Sequence, residues 1–187
     1  MGPLSFIKQY ITKPRSVGAV MPSSKHLAAK MICPINFHDA RSIVEYGPGT
    51  GVFTEQLLRH RNPQTVVLLL ETNTTFIDIL KSKYENEPNL YIINESAENI
   101  GQYLAMHNIP QADYILSGLP FASIPQDIST RILSETKKYL SQNGSFITFQ
   151  YTMLKKELIR QFFNSIDITH EIRNIPPAYV LCCKNNI

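Results

Sequence analysis

The chain has 187 residues, 43% of them hydrophobic and 18% charged, with a formal net charge of +3. That is the make-up of one folded domain with a real core, and it excludes an integral membrane protein, because no apolar run approaches the ~20 residues needed to span a bilayer. The three cysteines, Cys33, Cys182 and Cys183, have spacings that support neither a metal site nor a disulfide framework, so buried free thiols are expected.

The charge is uneven. Before Asp39 the chain carries Lys8, Lys13, Arg15, Lys25 and Lys30 and no acid. Leu4, Phe6, Ile7, Tyr10 and Ile11 fall mainly on one side of a short predicted helix, with Ser5, Lys8, Gln9 and Thr12 between them. Such a segment either packs on its own domain or lies on an anionic membrane with its lysines at head-group level. Lys8, Gln9, Thr12 and Lys13 interrupt any signal-peptide core, which places the protein in the cytoplasm. Pro14 ends this helix, and Ser23 or Ser24 caps the next, which runs through Leu27, Ala28 and Met31.

The most informative stretch is Ser42 to Thr54. Ile43 and Val44 mark a strand, Gly47, Gly49 and Gly51 alternate in a turn, and Val52, Phe53, Leu57 and Leu58 repeat at helical spacing. Glycines there let the backbone turn sharply and approach a ligand, at a helix start with free N–H groups. Glu45 stands two residues before the first glycine and suits a cationic ligand. Glu71 closes the strand Thr65 to Leu70, about 20 residues beyond the glycines, where an acid accepts both hydroxyls of a ribose.

Further on, Thr72 to Tyr84 reads as a helix with Phe76, Leu80 and Tyr84 on one face, and Leu90 to Asn94 as a third strand. The exit of that strand, Glu95 to Glu98, puts Ser96 and the N–H of Ala97 next to an adenine in a doubly wound sheet. A helix around Ile100 to Met106 leads to the strand Asp113 to Ser117 and the segment Gly118-Leu119-Pro120-Phe121. Ile128, Ile132, Leu133 and Leu140 mark another helix, Asn143-Gly144 turns it into the strand Ser145 to Tyr151, and Leu154, Leu158 and Phe162 form a last helical stripe. Ile166 to Arg173 and Tyr179 to Cys183 are joined too closely for a parallel crossover, so they form an antiparallel hairpin.

Acid, glycines, strand and second acid together resemble the cofactor site of the class I S-adenosylmethionine (SAM) methyltransferases. That resemblance implies an α/β, Rossmann-like fold: a seven-stranded mixed sheet of order 3-2-1-4-5-7-6, its last strand antiparallel, with helices on both faces. It makes residues 1–187 one domain, with an N-terminal helical arm over 1–37 and the core over 38–187. It implies that SAM is held by Glu45, Gly47, Pro48, Gly49, Thr50 and Gly51, then by Glu71 and Thr72, Ser96 and Ala97, and Ser117, leaving S-adenosyl-L-homocysteine as product. The acceptor would meet Gly118 and Phe121.

Nearly the whole chain is similar to the bacterial phospholipid N-methyltransferases of the Rhodobacter type. The shared pieces are Val17-Gly18-Ala19-Val20 with Pro22-Ser23-Ser24, Glu45 to Thr54, Ser117-Gly118-Leu119-Pro120, and Arg173 to Ala178. That family methylates the amine of phosphatidylethanolamine and docks on anionic membranes. The likeness implies a monomer or weak oligomer, peripheral on the inner face of the membrane, with Lys8, Tyr10, Lys13, Arg15 and Arg173 toward lipid. Ser96 departs from the Asp more usual in that family. The related rRNA adenine dimethyltransferases are the alternative, with nucleic acid as partner. Adenine-N6 enzymes place Asn or Asp where this chain has Gly118, and the polar pair of their Gly-Gln-Asn/His-Phe-Leu segment is replaced in Gly18 to Pro22. A small-molecule acceptor and a SAM-binding protein without catalysis are the remaining readings.

Overall fold

The computed structural model describes residues 23–185. The predicted N-terminal amphipathic helix, with Lys8, Tyr10, Lys13 and Arg15, and the segment Val17 to Pro22 lie outside the described residues.

Seven strands form one sheet: β1 (Ser42–Tyr46), β2 (Val66–Leu70), β3 (Leu90–Ile93), β4 (Ala112–Ser117), β5 (Leu140–Gln150), β6 (Ser165–Glu171) and β7 (Ala178–Lys184). Their order is β3-β2-β1-β4-β5-β7-β6. β1 to β5 are mutually parallel, whereas β7 runs antiparallel to both β5 and β6. The alternating pattern and the short last connection predict the parallel strands and the closing hairpin, and the strand order is the one that the resemblance implies.

All five residues of β1 are buried, as are four of the five in β2. A central parallel strand is covered on both faces, so its sequence reads as a continuous apolar run. One face packs α1 (Ser23–Ile32), α2 (Val52–His60) and α3 (Thr74–Lys83), with Ile43, Val67 and Leu69 meeting Met31, Leu57 and Leu80. The other face turns Val44, Tyr46, Leu68 and Leu70 toward α4 (Ile100–Met106), α5 (Gln126–Tyr139) and α6 (Lys156–Arg160). Helix α1 falls within the stretch assigned to the arm, yet Leu27, Ala28 and Met31 are buried, so it belongs to the core.

Two elements depart from expectation. Strand β5 begins at Leu140, opposite Ala112, before Asn143-Gly144; the register then jumps so that Ser145 pairs with Tyr114. The turn residues sit in a bulge inside the strand. Gly144 is needed there because a Cβ would lie 2.6 Å from the Asp113 carbonyl oxygen. The last helix is short, and Leu154 precedes it, exposed. Ile159, and Phe163 beyond the helix end, are buried in the core; Leu158 and Phe162 of the expected stripe pack against it partly buried, and Leu154 alone falls outside it. Of the cysteines, Cys182 and Cys183 are buried free thiols as expected, but Cys33 is exposed.

Phe146 stacks on Phe163 at 5.4 Å and meets the edge of Phe121 at 6.3 Å, tying β5 to α6 and to the segment after β4. Replacing Phe146 with Ala is expected to destabilise the domain by about 3–5 kcal/mol, the range for removing a buried aromatic ring, as read from the midpoint of denaturant unfolding.

Candidate active site

The strand register sets the site. Tyr46 pairs with Leu70 and with Ser117, Leu70 with Ile93, and Ser117 with Thr148, so five parallel strands end in one row. The expected cofactor residues Gly47, Glu71 and Ser117 sit at or just beyond this row. The chain runs outward from β1 to β3 on one side and from β4 onward on the other, and an open α/β sheet has its ligand crevice at that reversal, here between β1 and β4.

Gly47, Gly49 and Gly51 all have positive φ, at 61°, 57° and 83°. That conformation costs a side-chain-bearing residue energy and costs glycine little. Gly47 donates its N–H to the Leu70 carbonyl, and Gly51 donates to that of Pro48, closing the turn around Thr50. Gly51 is also the N-cap of α2. Its Cβ would press on Leu80 and Tyr84, and its carbonyl accepts from the Tyr84 hydroxyl, so α3 braces the turn from behind.

Beneath the turn lies Glu45, fully buried on the face covered by α2. One carboxyl oxygen, Oε2, accepts from the Thr54 hydroxyl at 2.7 Å, while Oε1 is buried with no hydrogen-bond partner among the described residues. Burial pushes the Glu45 pKa up from 4.5 to about 8, against the hydrogen bond from Thr54 and with a smaller contribution from the charge of Glu71. An unpartnered buried acceptor at a helix start fits a cationic ligand that supplies the missing donor.

Glu71 closes the other side. Its Oε2 accepts from the Gly49 N–H at 3.1 Å and its Oε1 from the Asn73 N–H at 2.9 Å. A carboxylate has about four acceptor positions, so two remain for the hydroxyls of a ribose. Exposed Thr72 follows it, and Asn73 caps α3 by accepting from the Thr75 N–H. Asn94, at the exit of β3, donates to the Glu71 carbonyl at 2.9 Å. Ala97 is buried, and the Ser96 hydroxyl donates to Glu98 and accepts from its N–H, capping a short 3-10 turn. In this structure, the hydroxyl expected at the adenine already gives its one proton to Glu98.

The segment after β4 explains its glycine. Gly118 donates to the Tyr46 carbonyl at 2.8 Å, and a Cβ on it would lie 2.6 Å from the carbonyl oxygen of Gly47. No Asn or Asp fits there without displacing the glycine turn. The Ser117 hydroxyl accepts from the Leu119 N–H, and the Leu119 side chain covers Gly47. Phe121 corrects the expectation of a ring beside the acceptor: it is fully buried and packs on Phe146. Arg173 is bound to Glu171, donating through Nε at 3.1 Å, Nη2 at 3.3 Å and its backbone N–H at 3.0 Å. Lys30 adds a contact to the same carboxylate at 3.5 Å, and Arg173, the nearer charge, holds the Glu171 pKa down to about 2.

Thr54 and Asn94 escaped the sequence reading. Thr54 had a usable signal, since the third residue of a helix that is capped by Gly51 and starts at Val52 turns back toward the end of the preceding strand. Asn94 had none, because its bond to Glu71 depends on the pairing of β2 with β3.

The sequence profile described as ribosomal RNA adenine dimethylase matches residues 15–170. The chain belongs to that family. It is a SAM-dependent methyltransferase, as the profile and its methyltransferase relatives agree. Among relatives, an ornithine lipid N-methyltransferase of Singulisphaera acidiphila is 28% identical over 96% of this chain and 94% of its own length. An rRNA adenine N-6-methyltransferase of Lysinibacillus sphaericus is 27% identical over 73% of this chain and 50% of its own length. In structure, a precorrin-6y C5,15-methyltransferase from Geobacter metallireducens superposes with a TM-score of 0.66 at 13% identity, covering 84% of this chain and 86% of that one. The Methanococcus jannaschii fibrillarin superposes with a TM-score of 0.67 at 14% identity, covering 89% and 77%. These likenesses share the class I fold.

Two outcomes test the site. Glu71→Ala should weaken SAM binding by about 1.5–3 kcal/mol, the worth of hydrogen bonds to a charged group, and an unchanged Kd by calorimetry would remove Glu71 from the cradle. For Glu45, a raised folded-state pKa means that the folded protein binds the extra proton. Its contribution to stability is therefore complete below about 4.5 and is lost as pH rises to about 8. Ligand-free protein should show Tm falling across that interval more steeply than Glu45→Gln does.

Proposed function

We propose that the enzyme methylates the amine of a membrane lipid whose head group carries a primary amine, of the ethanolamine phospholipid or ornithine lipid kind. The observation that carries this reading is end-to-end likeness: the lipid N-methyltransferase relative is matched over 94% of its length, the rRNA relative over 50%. Gly118 supports it from the site. Adenine-N6 enzymes use an amide or acid at this point, and here a Cβ would collide with the Gly47 carbonyl.

SAM, when bound, supplies a methyl group on a positively charged sulfur. The chain's part is to hold and orient: Glu45 and the glycine turn toward the cationic end, Glu71 toward the ribose, and Ser117 to Leu119 as the floor between cofactor and acceptor. An amine acceptor must arrive with its lone pair free, and alignment with exclusion of water is what the crevice contributes. His26 is exposed on α1, and His107 ends α4 and stacks with Tyr91 at 3.9 Å. His107 therefore sits at the end of the sheet away from the glycine turn, which disfavours it as a base. Arg173 keeps N–H groups beyond those given to Glu171 and serves, in this reading, an anionic head group, with Lys8, Tyr10, Lys13 and Arg15 on the membrane side of the arm. The proposed working place is the inner membrane surface; among the described residues no helix is long and apolar enough to cross a membrane.

Labelled SAM offered in parallel with mixed vesicles of ethanolamine phospholipid, with ornithine lipid, and with ribosomal RNA tests this directly. Label is expected in one of the aminolipids. Label in RNA adenines alone would establish the rRNA reading instead.

A further inference from the structure

Large apolar side chains left in water are concentrated at one edge of the molecule. Among the described residues, Leu154 is 76% exposed, Ile172 70% and Ile175 66%; apart from Met106 at 65%, the remaining large exposed hydrophobics reach at most 42%. Leu154 follows the end of β5, and Ile172 and Ile175 form the turn between β6 and β7. Gln150 pairs with Tyr179 and Glu171 with Ala178, so these segments leave neighbouring strands at the same edge, which is also the edge of the glycine turn. Met106 ends α4 and lies at the opposite edge.

The charge around them is positive in balance, with Lys30, Lys155, Lys156, Arg160 and Arg173 against Glu157 and Glu171. Residues 151–156 contain Lys155 and Lys156 and no acid, and residues 172–178 contain Arg173 and no acid. The flanking acids are engaged: Glu157 with Arg160, and Glu171 with Arg173 and Lys30. Apolar tips among cations suit a surface with an apolar interior below an anionic layer.

We propose that the rim formed by Leu154, Ile172 and Ile175 inserts into the interface of an anionic bilayer, seating the β6–β7 turn in the head-group layer so that the crevice between β1 and β4 opens onto the lipid amine. This rests on the lipid reading above and goes beyond it, since it assigns a second attachment independent of the N-terminal arm. Apolar insertion supplies a hold that salt does not screen, whereas the lysines add one that it does.

The test is vesicle co-sedimentation of the full-length chain with mixed phosphatidylglycerol and phosphatidylethanolamine vesicles, for wild type, Ile172→Asp/Ile175→Asp and Met106→Asp. The rim double variant is expected to lose binding by about tenfold or more, with a smaller salt-resistant fraction, while Met106→Asp binds as wild type. The double variant should still methylate a short-chain aminolipid dispersed below its micellar concentration, which shows that its fold and crevice are intact. Undiminished binding by the double variant, or an equal loss with Met106→Asp, would overturn the proposal. Unchanged vesicle binding with lost retention of a ribosomal RNA fragment would overturn it too, and would assign the rim to RNA. If the double variant loses vesicle binding but wild type methylates no aminolipid, the rim stands and the acceptor reading alone fails.

Discussion

A carboxyl group sealed beneath the glycine turn with one oxygen unpartnered is the constraint around which this fold is arranged. Glu45 sits near the end of a fully buried strand, under the first turn of α2, and among the described residues only Thr54 gives one of its oxygens a hydrogen bond. Burying such a group without a cation is unfavourable, and the protein tolerates it by holding the proton. The strand order, the left-handed glycines and the capping of α2 by Gly51 all serve to keep that group at the floor of a crevice that a positively charged ligand can enter.

The two halves of the crevice constrain each other through backbone rather than side chains. Gly47 reaches across to the end of β2, and Gly118 reaches across to the end of β1. Contact is so close at Gly118 that the wall facing the acceptor is made of main chain and of Leu119. Specificity for the acceptor therefore has little room to reside in the floor of the site. It falls to the segments above it.

What could be read from the sequence follows from what is local. The turn from Gly47 to Gly51 and the acid at Glu71 announce themselves because positive φ and a strand-end carboxylate each demand one residue type at one place. The hairpin of β6 and β7 was legible from the shortness of its connection. The start of β5 was not, because Asn143-Gly144 signals a turn whether it ends a strand or bulges within one. Helix α6 was legible in part: Leu158 and Phe162 pack against the core, but only five residues are helical, so Leu154 is left outside and Ile159 and Phe163 are the residues fully enclosed. Phe121 looks from sequence like a ring offered to a ligand; its burial against Phe146 depends on a strand 25 or so positions further along. Pairing across the sheet likewise decides Asn94 and Gly118.

The reversal of β7 has an evolutionary meaning. Had the last strand run parallel like the first five, its connection would have needed a crossover, and the segment entering it would lie at the far edge of the sheet. Running it backwards returns a short, solvent-facing loop to the mouth of the crevice, carried by two strands that supply none of the residues around Glu45 or Glu71. Such a loop can drift, lengthen or be exchanged between lineages while the cofactor cradle stays fixed, so one scaffold can acquire new acceptors by changing its lip and leaving its floor alone.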